Sequence, residues 1–162
     1  TATGYVGAGA ITLNTGATGS SNTTIVFNNA SNTVKSGNSI TVANEGTGVT
    51  TIATGSGAVL PSMRALTLNK SVTFDILAGT ALRTEAAAAF AGSGNILKTG
   101  GGRLALNSTI ATYTGNITVS QGELNWGASG ALGNGTITIN DSNTGSTNTN
   151  LSSQVGGTLA NS

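Results

Sequence analysis

The chain contains no cysteine and no histidine. Without histidine, neither a Ser–His–Asp nor a Cys–His nucleophile arrangement can be built. Metal sites rich in imidazole or thiolate are excluded on the same ground, and nothing in the sequence calls for a cofactor. Without cysteine no disulfide staples the fold, so stability has to come from backbone ladders and stacked side chains. Charge is scarce too. Charged residues make up 7% of the 162 positions, against about 25% in an ordinary soluble domain. Six scattered Lys and Arg give no steering toward nucleic acid or an anionic membrane surface. No apolar run approaches the ~18 residues of a transmembrane helix, so no membrane insertion within this segment is expected. No signal peptide is visible at Thr1; the targeting segment of a secreted chain would be removed or lie outside these residues.

Glycine (25 residues), serine, threonine and asparagine occupy the space that charge leaves. Disorder goes with low hydrophobicity and high net charge. Here 37% of residues are hydrophobic, mean hydropathy is +0.12 and net charge is +1. The aliphatics recur in short alternating runs, the mark of strands. Five triplets read aliphatic–Thr–aliphatic: Ile11–Leu13, Ile40–Val42, Leu66–Leu68, Ile117–Val119 and Ile137–Ile139. Successive side chains on a strand point to opposite faces, so the aliphatics should enter a core while the threonine faces outward. Asparagine follows at Asn14, Asn69 and Asn140, and Asn107 follows the similar Leu104–Leu106. Its tolerance of left-handed backbone suits a corner between strands. Ala81–Phe90 alone favours helix, and reads equally as one helical turn or as an extended strand of small residues. Hairpin signals are weak, Asn134-Gly135 being the one Asn-Gly pair.

Residues Thr3–Ile25 align with Ser129–Leu151 at a constant offset of 126. Gly7, Gly9, Ile11, Thr12, Asn14, Thr18, Gly19, Ser20, Asn22 and Thr23 all recur in register. Residues 1–126 therefore form one repeat unit and 127–162 the start of the next, within a single solenoid segment 1–162. With coils of about 20–25 residues spaced ~4.8 Å apart, one unit would rise roughly 25–30 Å. Because 1–36 and 127–162 hold the same phase of the repeat, the two ends are expected to look alike. Copies should then continue head to tail, within a longer chain or between subunits.

Over Gly92–Trp126 the sequence resembles the autotransporter-associated β-strand repeat of bacterial surface proteins. Gly92, Gly94, Ile96, Lys98, Gly100, Gly102, Leu104 and Leu106 carry the alternating pattern. Tyr113, Gly115, Val119, Gly122 and Leu124 carry its second half; Ile117 and Trp126 stand where the family more often has Thr and Leu. The resemblance covers about 35 residues. It implies an all-β, right-handed parallel β-helix (a β-solenoid) on the outside of a bacterium, secreted or at the cell surface, that serves as scaffold and is not an enzyme. Three sides are expected, with loops of uneven length.

The acids Glu45, Asp75, Glu85, Glu123 and Asp141 are dispersed, which reads as solvated surface and not as the facing carboxylates of a glycoside hydrolase. A polysaccharide-active β-helix enzyme is the least favoured reading. No run of acids resembles a calcium loop, so no catalytic, cofactor or metal residue is assigned. Gly94 with Gly100–Gly102 lacks the Gly-Lys-Ser/Thr and following helix of a phosphate loop. Lys98 is expected at a coil edge with its stem over apolar surface, and Tyr5, Tyr113 and Trp126 as packing residues. The favoured function is a structural or adhesive rod or filament element whose partners are identical copies and, in addition, surface glycans. The alternative is a ligand-binding solenoid for ice or polysaccharide, with Thr12, Thr41, Thr67, Thr118 and Thr138 stacked as one outward ladder.

Overall fold

A computed structural model describes residues 9–28, 35–58 and 60–156 of the protein. The strands in chain order are β1 (Ile11–Leu13), β2 (Thr23–Phe27), β3 (Lys35–Val42), β4 (Thr50–Thr54) and β5 (Ser62–Leu68). Then come β6 (Val72–Asp75), β7 (Ala81–Thr84), β8 (Ala89–Gly92), β9 (Ile96–Thr99) and β10 (Arg103–Leu106). The last are β11 (Ile110–Ala111), β12 (Ile117–Val119), β13 (Gly122–Trp126), β14 (Ile137–Ile139) and β15 (Thr149–Ser153). One 3-10 turn, Gly16–Thr18, is the single helical element among the described residues. Every strand pairing among them is parallel. The chain is an all-β solenoid, and Ala81–Phe90 resolves into two strands around a turn at Ala86-Ala87.

Three faces follow from the register. The start of β5 pairs with β7, while its end pairs with β8, so the strand bends around a corner. β3 bends at the same level, its register shifting between Ser36 and Ser39. The first face carries the leading halves of β3 and β5, then β7, β10, β13 and β15. The second carries β1, the trailing halves of β3 and β5, then β8 and β11. The third stacks β2, β4, β6, β9, β12 and β14. Six strands at ~4.8 Å spacing make this face about 24 Å tall.

Coil lengths are more uneven than the sequence suggests, from 29 residues (Ile11 to Ile40) to 20 (Val119 to Ile139). The reason lies at the corners. The backbone ladder constrains only the strands, so a corner can be a two-residue bend or a long loop without disturbing the stack. The broken spacing of the Thr triplets has the same origin. Ile11, Ile40 and Leu66 stack on the second face, whereas Ile117 and Ile137 stack on the third.

The core is a set of inward columns. On the third face Val72, Ile96 and Ile117 form one and Phe74, Lys98 and Val119 the next. On the first face Leu82, Leu104 and Leu124 stack. Ile40, Val42, Leu66 and Leu68 are fully buried on the second, as the triplet parity requires. Each such side chain contributes about 1.5–3 kcal/mol of burial. The alternating stretch Gly92–Leu106 keeps inward parity around two corners. Its aliphatics fill the interior, and its glycines fall where the coil beneath is too close for a side chain. A Cβ on Gly92 would lie 2.1 Å from the Leu68 carbonyl oxygen, and its φ of 105° suits glycine alone. The space left over Gly92 is taken by Tyr113, whose ring stacks on Phe90 at a centroid distance of 4.4 Å. The Tyr113 hydroxyl donates to the Gly94 carbonyl at 2.7 Å.

Candidate functional site

The outward face with the most regular chemistry is the third. The alternate residues there register as Thr24, Thr51, Thr73, Leu97, Thr118 and Thr138. Five of six positions are threonine, one per coil, at the ~4.8 Å step of the ladder. The side-chain parity is set by the inward partners, since Ile25, Ile52, Phe74, Lys98 and Val119 occupy the neighbouring column. Thr24 and Thr138 are exposed and the middle members half-buried.

The five threonines expected to form one ladder do not share a face. Thr12, Thr41 and Thr67 stack on the second face, where the column ends at Ala91. Thr118 and Thr138 stack on the third. The single ladder is thus corrected to two, and the longer one includes Thr24, Thr51 and Thr73, which the triplet pattern missed. Those three sit in Thr23-Thr24-Ile25, Thr50-Thr51-Ile52 and Val72-Thr73-Phe74. A pattern that admitted threonine at its first position and phenylalanine at its last would have found them.

Beside the third-face column runs a shallow open groove lined in part by Val49, Lys70, Ser71, Thr73, Leu97 and Thr118. Lys70 closes one end, its Nζ donating to the carbonyls of Gly46 at 2.5 Å and Gly48 at 2.7 Å. The corner beside it is tied coil to coil by side chains. The Asn22 Oδ1 accepts from Val49 N at 2.9 Å, Asn95 Oδ1 from Asn116 N at 3.0 Å, and Asn116 Oδ1 from Thr136 N at 2.9 Å. Of the asparagines expected at corners, Asn14 (φ 60°) and Asn140 (φ 67°) are left-handed; Asn69 and Asn107 end strands without that conformation.

Lys98 is not at a coil edge. It is fully buried in an inward column between Phe74 and Val119. Its ammonium donates to the carbonyls of Thr99 (2.6 Å), Gly100 (2.7 Å) and Gln121 (3.1 Å). Charge argued against burial, but two successive corners turn carbonyls inward there, and three N–H donors on one atom satisfy them. Burial lowers the Lys98 pKa to about 8, with Asp75 opposing that shift. Burial likewise pushes the Tyr113 phenol above its usual range, against a backbone hydrogen bond that lowers it.

Among the described residues no three of Asp, Glu, His or Cys converge, and all five acids are exposed or half-buried. No helix among them is long and apolar enough to cross a membrane. Tyr113 is a core residue, Trp126 packs half-buried against the core, and Tyr5 lies outside the described residues.

Fold and surface together define the class, a three-sided parallel β-solenoid with threonine columns on two outer faces. Compared with known protein families, curated proteins and solved structures, the chain finds no match in any of the three.

Proposed function

We propose that the chain is a structural or adhesive element of an extracellular rod or filament, exported to a bacterial surface and built to be continued end to end by copies of its own repeat. The observation that carries this is the direction of the backbone ladder. All pairing runs along one axis, so β1 and β2 at one end and β14 and β15 at the other are each paired on one side only among the described residues. Strand edges of this kind are templates for another strand. The 126-residue repeat supplies a chemically matched one. The likeness of Gly92–Trp126 to autotransporter repeats supports the surface location and a scaffold role without catalysis. Negative-stain images of the purified chain, with fibre diffraction, test the proposal. Rods or filaments with an axial reflection near 4.8 Å are expected. Monodisperse particles that never stack axially, at any concentration, would overturn it.

The third-face column favours a second reading, in which the rod's outer surface binds an ordered polysaccharide or ice through evenly spaced hydroxyl and methyl groups. Co-sedimentation with crystalline polysaccharide and inhibition of ice recrystallisation are its tests. Thr51→Lys with Thr118→Lys should abolish whichever activity exists, while Thr12→Lys should leave it intact.

A further inference from the structure

The two copies of the repeat do not lie in the same phase of the solenoid. Their local conformation is the same. Asn14 and Asn140 have φ of 60° and 67°, and Gly19 and Gly145 have φ of 53° and 58°. The loop that follows repeats bond for bond. Thr18 N donates to Thr15 O at 2.9 Å and Ser21 N to Thr18 O at 2.9 Å. At the offset of 126, Thr144 N donates to Asp141 O and Thr147 N to Thr144 O, both at 3.1 Å. The placement differs. β1 lies on the second face, paired to β3, whereas its equivalent β14 lies on the third, paired to β12. β2 lies on the third face and its equivalent β15 on the first, paired to β13. The chain climbs through five full turns from Ile11 and reaches Ile137 one face further on. The expectation that both ends present the same phase is corrected accordingly.

A three-sided solenoid tolerates this because a strand of inward aliphatics and outward threonine, closed by a left-handed asparagine, fits any face. The register requires only that like strands stack, not that the same face recurs.

We infer that successive 126-residue units are related by a screw, each turned by one face about the axis, and that the partner seated on the β14–β15 edge is another such unit so turned. This rests on the reading of the chain as a continued rod. Each unit then rotates by about 120° and rises ~26 Å, and three units restore the original orientation. The turn has a consequence for the outer surface. Thr138, the equivalent of Thr12, seats directly on Thr118. The second-face column of one unit, Thr12–Thr41–Thr67, becomes the continuation of the third-face column of the unit before it. A threonine ladder interrupted within one unit is lengthened across the junction, while the 14–22 loop is displayed at successive corners around the rod.

Two measurements test this. The chain has no native cysteine, so outward threonines can be spin-labelled in pairs. The Thr24→Cys/Thr138→Cys pair, five steps apart on one column, should give the shorter distance, with backbones ~24 Å apart. The Thr12→Cys/Thr138→Cys pair should be longer, because the repeat equivalents face different sides. The reverse order overturns the screw. Second, the full chain lengthened at its C-terminus by residues 37–162 carries the repeat twice, and its copies can be superposed from a cryo-electron microscopy map. A rotation of about 120° is expected. One continuous rod whose copies superpose without rotation overturns the screw and leaves the rod standing. Two units that fold but do not stack overturn the rod reading itself.

Discussion

The buried ammonium of Lys98 makes the stability of this protein depend on alkaline pH in an unusual direction. Its folded pKa is about 8, below the ~10.4 of a lysine in an unfolded chain. The unfolded state therefore holds the proton more tightly, and between those two values stability rises as pH rises. From pH 7 to pH 10 the gain is about 2.5 kcal/mol, since each unit of difference is worth 1.36 kcal/mol and most of the interval is titrated. Below pH 8 the ammonium stays charged, held by three carbonyls that only partly offset its lost hydration. Urea unfolding at pH 7, 8, 9 and 10, followed through Trp126 fluorescence, measures the slope. Lys98→Met keeps the length of the side chain and its apolar contacts with Phe74 and Val119 but removes the titration. The variant should lose most of the rise over that interval, whatever its stability at pH 7. A Lys98→Met protein with the same pH slope as the parent would refute the assignment of that slope to Lys98.

Tyr113 acts in the opposite sense, because burial favours its neutral phenol. Its contribution is present below pH ~10 and lost above it as the unfolded chain ionises; Tyr113→Phe should remove that alkaline loss and cost about 1 kcal/mol at pH 7 through the bond to Gly94, as read by urea midpoints. Thr50 is fully buried with its hydroxyl unpartnered, in register with Val72 above it. Thr50→Val should stabilise the fold by about 1–2 kcal/mol, and unchanged or lower stability would show that the hydroxyl is satisfied. Gly92→Ala places a Cβ against the Leu68 carbonyl at a φ of 105°; a loss of about 2–3 kcal/mol or more is expected in chemical denaturation, and a loss below ~0.5 kcal/mol would argue against the close stacking of these coils.

Much of the architecture was legible in the residues. The middle threonines of the triplets do point outward and their neighbours inward, because strand parity is a local property that no distant contact can change. Asn14 and Asn140 take the left-handed conformation that their place after a triplet implied. Lys98 was misplaced because burial of a charge depends on carbonyls brought from another coil, and Gln121 is 23 residues away. The Thr ladder was misassembled for a related reason. Membership of a column depends on how many residues each corner consumes, and corner length leaves no trace in the strand pattern.

The sequence by itself therefore determined the element type, the inward and outward sets, and the existence of a 126-residue repeat, all of which follow from local backbone geometry and self-similarity. Only the tertiary structure decided which threonines share a face, where the lysine's charge is held, and that the repeat returns one face out of phase. Those are consequences of register. Register is settled by hydrogen bonds between coils, and its arithmetic runs through loops whose lengths, from coils of 20 to 29 residues, vary without altering the strands they join.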